Sequence, residues 1–210
     1  MSGLSSAPNA GLVLAAGAGR RYGRPKAFAP VPPGPGAQRA PIAPPACGPA
    51  GELMLERAVR TLHEGGCAPV IVVLGAEAHR GRPLRLEQRF GARLVVNPDW
   101  PSGMGSSLRA GLAALPASVP AVVVMLVDTP DVTADAVRRV GAYADPTALR
   151  VATYGGRPGH PVLIGRAHWA GVADGATGDT GARRYLAAHD AEPVPCDDVA
   201  DGADVDVRHA

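Results

Sequence analysis

The chain has 210 residues, of which 46% are hydrophobic but only 4% aromatic, and a formal net charge of +2. That length and apolar content suit one globular domain, residues 1–210, with a core of Val, Leu, Ala and Ile, and they argue against global disorder. The near-neutral charge, with no basic helix and no aromatic-rich basic patch, argues against nucleic-acid or membrane-surface binding, and no apolar run approaches the ~20 residues of a membrane span.

Residues 1–9 carry neither a cationic nor an apolar signal region, so they read as a short disordered leader. Cys47, Cys67 and Cys196 are widely spaced and odd in number, which predicts free thiols in a reducing cytoplasm. Ala10–Ala15 reads as a buried strand. It opens into Ala16–Lys26, a loop with Gly17, Gly19 and Gly23 and four cations, Arg20, Arg21, Arg24 and Lys26, within seven residues. Glycines permit tight backbone turns. Backbone N–H groups and fixed cations in such a loop suit a triphosphate, although a plain surface turn has the same composition. Residues 30–51 carry too many prolines for a helix or a central strand and are expected to form an extended loop.

A helix is predicted over Glu52–Gly65 and a buried strand over Val70–Leu74, with a charged helix or loop over Arg80–Phe90 and a strand over Ala92–Asn97. Asn97–Pro101 reads as a turn into a helix that Ser106 or Ser107 would cap. Ala121–Val127 is the most apolar run and reads as the central strand, ending in Asp128-Thr129-Pro130. Thr133 is predicted to cap a helix over Ala134–Tyr143. Strands are expected over Arg150–Thr153 and Pro161–Ile164, and a helix over Thr180–His189. The tail from Pro193 is acidic, with a last short strand around Val205 and Val207. Apolar strands alternating with helices predict an α/β fold, a mostly parallel sheet covered on both faces. Such sheets bind ligands at the carboxyl ends of their strands.

Two of the candidate groups fall at such ends. Asp128 closes the central strand, where a carboxylate can hold Mg²⁺ or merely start a turn. The glycine loop closes the first strand, and its Lys26 is suited to phosphate charge. Asp204 and Asp206 lie on one side of an extended segment, so either can supply a second metal ligand. His160, between two strands, is either an acceptor contact or a turn residue.

The loop signature Leu14-Ala15-Ala16-Gly17-x-Gly19-x-Arg21-x-Gly23-x-Pro25-Lys26 resembles that of small-molecule nucleotidyltransferases. Four further segments are similar, in the same order, to those of the molybdenum cofactor cytidylyltransferase family: Asn97–Gly111, Asp128-Thr129-Pro130, Gly156–Val162 and Gly178–Arg183. The resemblance implies a Rossmann-like sheet of the nucleotide-diphospho-sugar transferase type and Mg²⁺-dependent transfer of CMP from CTP to molybdopterin. It places Leu14, Ala15, Ala16, Gly17 and Gly19 on the nucleotide, Arg20 and Lys26 on its phosphates, and Ser106 and Ser107 near the base. Asp128 and Asp206 would bind Mg²⁺, with His160, Asp179 and Arg183 on the acceptor side. Guanylyl transfer and transfer to another small phosphate are the alternatives within this chemistry. A nucleotide-binding chaperone that delivers cofactor to a molybdoenzyme is the alternative outside it. The proline-rich stretch and the ending Asp204–Ala210 depart from the family pattern.

Overall fold

A computed structural model of the chain describes residues 7–32 and 51–206. Most of the leader, the greater part of the proline-rich stretch, and Val207 lie outside the described residues.

The apolar runs form one seven-stranded sheet. β1 (Ala10–Ala15) pairs in parallel with β2 (Val70–Leu74) on one side and β4 (Ala121–Leu126) on the other, and β2 pairs in parallel with β3 (Ala92–Val96). β5 (Leu149–Tyr154) and β6 (Arg157–Gly165) form an antiparallel hairpin, with β6 against β4, and β7 (Glu192–Pro195) lies parallel to β5 at the edge. The resulting order is β3-β2-β1-β4-β6-β5-β7, which places β1 and β4 side by side at the middle. The expectation of a mostly parallel, doubly covered sheet holds, with β6 as the antiparallel member.

Strand pleating sends alternate side chains to opposite faces. Val13 and Ala15 join one core with α1 (Met54–Glu64), α2 (Leu86–Phe90) and α4 (Ala134–Val140). Leu12 and Leu14 join the other with α3 (Met104–Ala113), α5 (Trp169–Gly175) and α6 (Arg183–Ala188). Both faces of β1 are therefore apolar, and its sequence shows a continuous run in place of an alternation.

Several boundaries differ from expectation for identifiable reasons. Helix α3 starts at Met104, so Ser106 and Ser107 sit inside its first turn and cap nothing; the Asp179 carboxylate accepts from the Met104 N–H instead (3.2 Å). A cap supplied from so far along the chain leaves no local signal. α6 starts at Arg183 because Gly178 and Gly181, at φ +50° and +52°, keep the preceding loop out of helical conformation. The acidic tail hides β7, whose Pro193 and Pro195 are tolerable only at a sheet edge. No strand forms at Val205, although its N–H donates to the Asp128 carbonyl (2.9 Å).

Arg150 fastens that edge. Its guanidinium donates to the Arg139 and Val140 carbonyls (both 2.9 Å) at the end of α4 and, through two nitrogens, to Glu192 of β7 (both 3.1 Å). Arg150 is 8% exposed. Replacing it with Met strands two helix-end carbonyls, and we expect a loss of about 1–3 kcal/mol in urea unfolding. Glu192→Gln, at the solvent side of the same pair, should cost less than about 1 kcal/mol.

Candidate active site

The loop after β1 is shaped at one glycine and left open at another. Gly19 has φ +59°, and a Cβ there would lie 1.9 Å from the Arg24 carbonyl oxygen, so only glycine fits. The Gly23 N–H donates to the Gly19 carbonyl (2.8 Å) and closes the turn. Gly17 is exposed, and a Cβ there would meet nothing within 4 Å. The chain's own packing thus requires Gly19, whereas the bare backbone at Gly17 keeps a surface clear for a ligand.

The same loop delivers Lys26. Lys26–Phe28 forms a single 3-10 turn, and the buried Ala27 and Phe28 anchor it in the α1-side core. The Lys26 ammonium donates to Asp128 Oδ2 (2.8 Å), beyond the end of β4, and to Asp206 Oδ1 (3.1 Å), in the tail. Arg21 lies 3.5 Å from the other Asp206 oxygen. Burial works against the charged lysine, but its hydrogen bonds and the charges of the two carboxylates outweigh it, so the Lys26 pKa is raised. The hydrogen bond from Lys26, then its charge, hold the Asp206 pKa below the usual carboxylate range.

The opposite wall is α3 and the loops that hold it. Gly103 and Gly105 have no room for a Cβ, because the Ala176–Gly178 backbone lies 2.5–2.9 Å from where it would stand. The Gly105 N–H donates to the Gly178 carbonyl (2.8 Å), and Arg109 donates to the Ala176 carbonyl. The segments Gly103–Arg109 and Gly178–Arg183 therefore dock on one another. Trp100 lies against Gly75, where a Cβ would stand 2.5 Å from the indole Cγ. Buried Asn97 holds both Ser106 Oγ (2.9 Å) and Ser107 Oγ (3.1 Å) through its amide nitrogen.

Between these walls lies a cleft of about 400 Å³. Leu14, Ala16, Gly17, Gly19, Arg20, Lys26, Ser107, Asp128, Asp179 and Asp206 line it. Five other candidate site residues singled out in the sequence do not. The Ala15 side chain belongs to the opposite core, and Ser106 turns to the Asp99 and Gly103 carbonyls (both 2.9 Å). Arg183 is exposed at the start of α6. His160 is not among the lining residues, although Asp128 and Arg183 both act on it electrostatically; burial pushes its pKa down to about 4. Asp204 is exposed and outside the cleft, which leaves Asp206 as the tail carboxylate that faces Asp128 across Lys26. Arg21, Tyr22, Trp100, Pro101 and Met104 also line the cleft. They lack a charge-and-spacing signal of their own, except Arg21, which the cation run contains.

The carboxylate pair fits a hard divalent cation. The two groups already share one cation, the Lys26 ammonium, and among the described residues no cluster of three or more protein ligands occurs. Mg²⁺ is commonly held by one or two carboxylates together with water and substrate phosphates.

A nucleotide-handling α/β protein is the class that this sheet and its carboxyl-edge cleft define. The MobA-like NTP transferase domain matches residues 11–194, and the chain belongs to that family, which makes it a nucleotidyltransferase by class. It is 35% identical over 206 residues to the nicotine blue oxidoreductase of Paenarthrobacter nicotinovorans, covering 93% of this chain and 91% of that protein. It is 35% identical over 163 residues to the bifunctional IPC transferase and DIPP synthase of Rubrobacter xylanophilus; this covers 69% of the chain but only 33% of that longer protein. In fold it is similar to the crystal structure of Rv0371c from Mycobacterium tuberculosis, with a TM-score of 0.71, 24% identity, and coverage of 97% of this chain and 95% of that one. No helix among the described residues is long and apolar enough to cross a membrane.

The two glycines should separate in mutagenesis. Gly19→Ala should lower the unfolding temperature as well as nucleotide affinity. Gly17→Ala should leave unfolding unchanged and weaken nucleotide binding by about tenfold or more, as expected for loss of one or two good hydrogen bonds. Calorimetric unfolding and titration on the same preparations test both.

Proposed function

We propose that the protein transfers CMP from CTP to the terminal phosphate of a molybdopterin-type acceptor, with release of pyrophosphate. The observation that carries this reading is the convergence of Asp128 and Asp206 on Lys26 beside the open backbone of Gly17. Asp128 and Asp206 would hold a divalent cation, Mg²⁺ by preference, which supplies charge neutralisation for the transferring phosphoryl group. Lys26 and Arg20 would take the remaining negative charge, and the loop N–H groups would fix the triphosphate for in-line attack. Nucleotidyl transfer depends mainly on positioning and charge, so it needs no protein nucleophile. The Leu14-Ala15-Ala16-Gly17 form of the loop resembles that of the cytidylyl branch of the family, which supports a cytidine nucleotide. His160, within electrostatic reach of Asp128 and Arg183, and Arg183 itself would face the acceptor, as would Asp179 from the α3 side. A molybdoenzyme or its chaperone would then receive the product.

Wild-type protein given each of four nucleoside triphosphates, Mg²⁺ and phosphorylated acceptors including molybdopterin should release pyrophosphate best with CTP. Asp128→Asn and Lys26→Met, still folded, should lower kcat/KM by about 100-fold or more. A preference for GTP would move the assignment to guanylyl transfer. Nucleotide binding without any pyrophosphate release would favour the delivery chaperone.

The relative named as an oxidoreductase favours a second reading, in which the same glycine loop holds a redox dinucleotide. Oxidation of a reduced nicotinamide nucleotide without pyrophosphate release would support that reading against the first.

A further inference from the structure

We infer that Tyr154 is a positioning residue for the Asp206 carboxylate: its ring supports the tail where the tail crosses the sheet, and without it Asp206 does not stay opposite Asp128. The inference rests on the reading that Asp128 and Asp206 hold a divalent cation.

The topology sets the problem. The tail leaves β7 at the edge of the sheet, yet Asp206 reaches Lys26 beside Asp128, beyond the end of β4. In the order β4-β6-β5-β7, β5 and β6 stand between the two, and the carboxyl ends of β4, β5 and β7 lie at the same end of the sheet. The path therefore runs past the end of β5, and Tyr154 is the last residue of that strand. Residues 196–206 form neither helix nor strand, so the crossing has no regular structure of its own to stiffen it.

Two backbone bonds pin the crossing near its destination. The Asp201 N–H donates to the Asp131 carbonyl (3.3 Å), and the Val205 N–H donates to the Asp128 carbonyl (2.9 Å). Two attachment points leave an irregular segment free to rotate about the line between them, and a further contact is needed to stop it. Gly202, between the two, supplies that contact. A Cβ there would stand 2.2 Å from Tyr154 Cε2 and 2.3 Å from Cδ2. Gly202 is outside the left-handed region, so close approach to the ring is what calls for glycine.

The ring is itself held firmly. Gly159 of β6 meets the same ring edge, with Cδ2 and Cε2 both 3.0 Å from where its Cβ would stand. The Tyr154 hydroxyl donates to the His160 carbonyl (2.8 Å). Burial pushes the Tyr154 pKa up, and Cys196, Asp201 and Asp197 add to the shift, so the hydroxyl keeps the proton that it donates. Tyr154 and the tail residues Val199, Ala200 and Val205 all pack against the α1-side core.

The test reads the cation dependence of nucleotide binding, which is the affinity for a non-hydrolysable CTP analogue in Mg²⁺ divided by that in a chelator, from calorimetric titration. Partners that orient metal ligands typically matter at this level, so Tyr154→Ala should lower the ratio about tenfold. Tyr154→Phe keeps the ring under Gly202 and should keep the wild-type ratio. Tyr154→Ala combined with Asp206→Asn should lower the ratio no further than Asp206→Asn alone, because both remove the same ligand. An unchanged ratio in folded Tyr154→Ala, an equal fall in Tyr154→Phe, or losses that add in the double variant would overturn the inference. Should Tyr154→Ala fail to fold, Gly202→Ala decides alone, since its methyl group displaces the tail from the ring: an unchanged ratio overturns the proposal. Wild-type protein with no cation dependence would overturn the reading of the carboxylate pair and the inference with it, a different result from a dependence that ignores Tyr154.

Discussion

One ammonium group ties together three parts of the chain that are far apart in sequence. Lys26 belongs to the loop after β1, Asp128 to the end of β4, and Asp206 to the tail, and all three meet within 3.1 Å contacts. The lysine cannot drift, because the residues that follow it are buried in the core. The tail is held at the same point by a backbone bond from Val205 to Asp128 (2.9 Å). Two carboxylates facing each other without a cation would repel, so the lysine is what lets them share one side of the cleft. On the proposed reading, these two carboxylates would be the acidic partners of a divalent cation, and the ammonium beside them would meet phosphate charge.

The rest of the cleft is arranged around that junction by shape more than by charge. Gly103 and Gly105 let α3 approach the Ala176–Gly178 backbone, and the Asp179 carboxylate takes the first N–H of the helix. Gly75 makes room for Trp100 beside the Ala16 carbonyl. The two walls of the cleft are thus set separately. A polar wall from β1 and β4 carries cations and carboxylates, and a largely apolar wall from α3 and Trp100 carries the Ser107 hydroxyl.

What could be read from the sequence follows this division. The sheet was legible because β1, β2 and β4 are continuous apolar runs, and the phosphate-suited loop was legible because cations and glycines cluster within a few residues. Asp128 stood out as a charge closing the most apolar run. Other features depend on contacts between distant segments and leave no local trace. The pairing of Lys26 with both carboxylates is one. The job of Asp179 as a helix cap is another: the family resemblance places the residue on the acceptor side, and the structure adds a contact to the Met104 N–H at the cleft wall that no local signal announces. The choice between Asp204 and Asp206 required knowing where an irregular tail lies. β7 escaped notice because its prolines are acceptable only at an edge, and edge position is a property of the whole sheet.

The central claim is that the Asp128–Lys26–Asp206 junction is a cation and triphosphate site. Titration of a non-hydrolysable CTP analogue with Mg²⁺, and again with a chelator, tests it most directly when wild-type protein and Asp206→Asn are run side by side. The claim predicts tight binding by the wild type only when the divalent cation is present, and a much smaller dependence on the cation in the variant. Equal affinity with and without the cation in wild-type protein would contradict it.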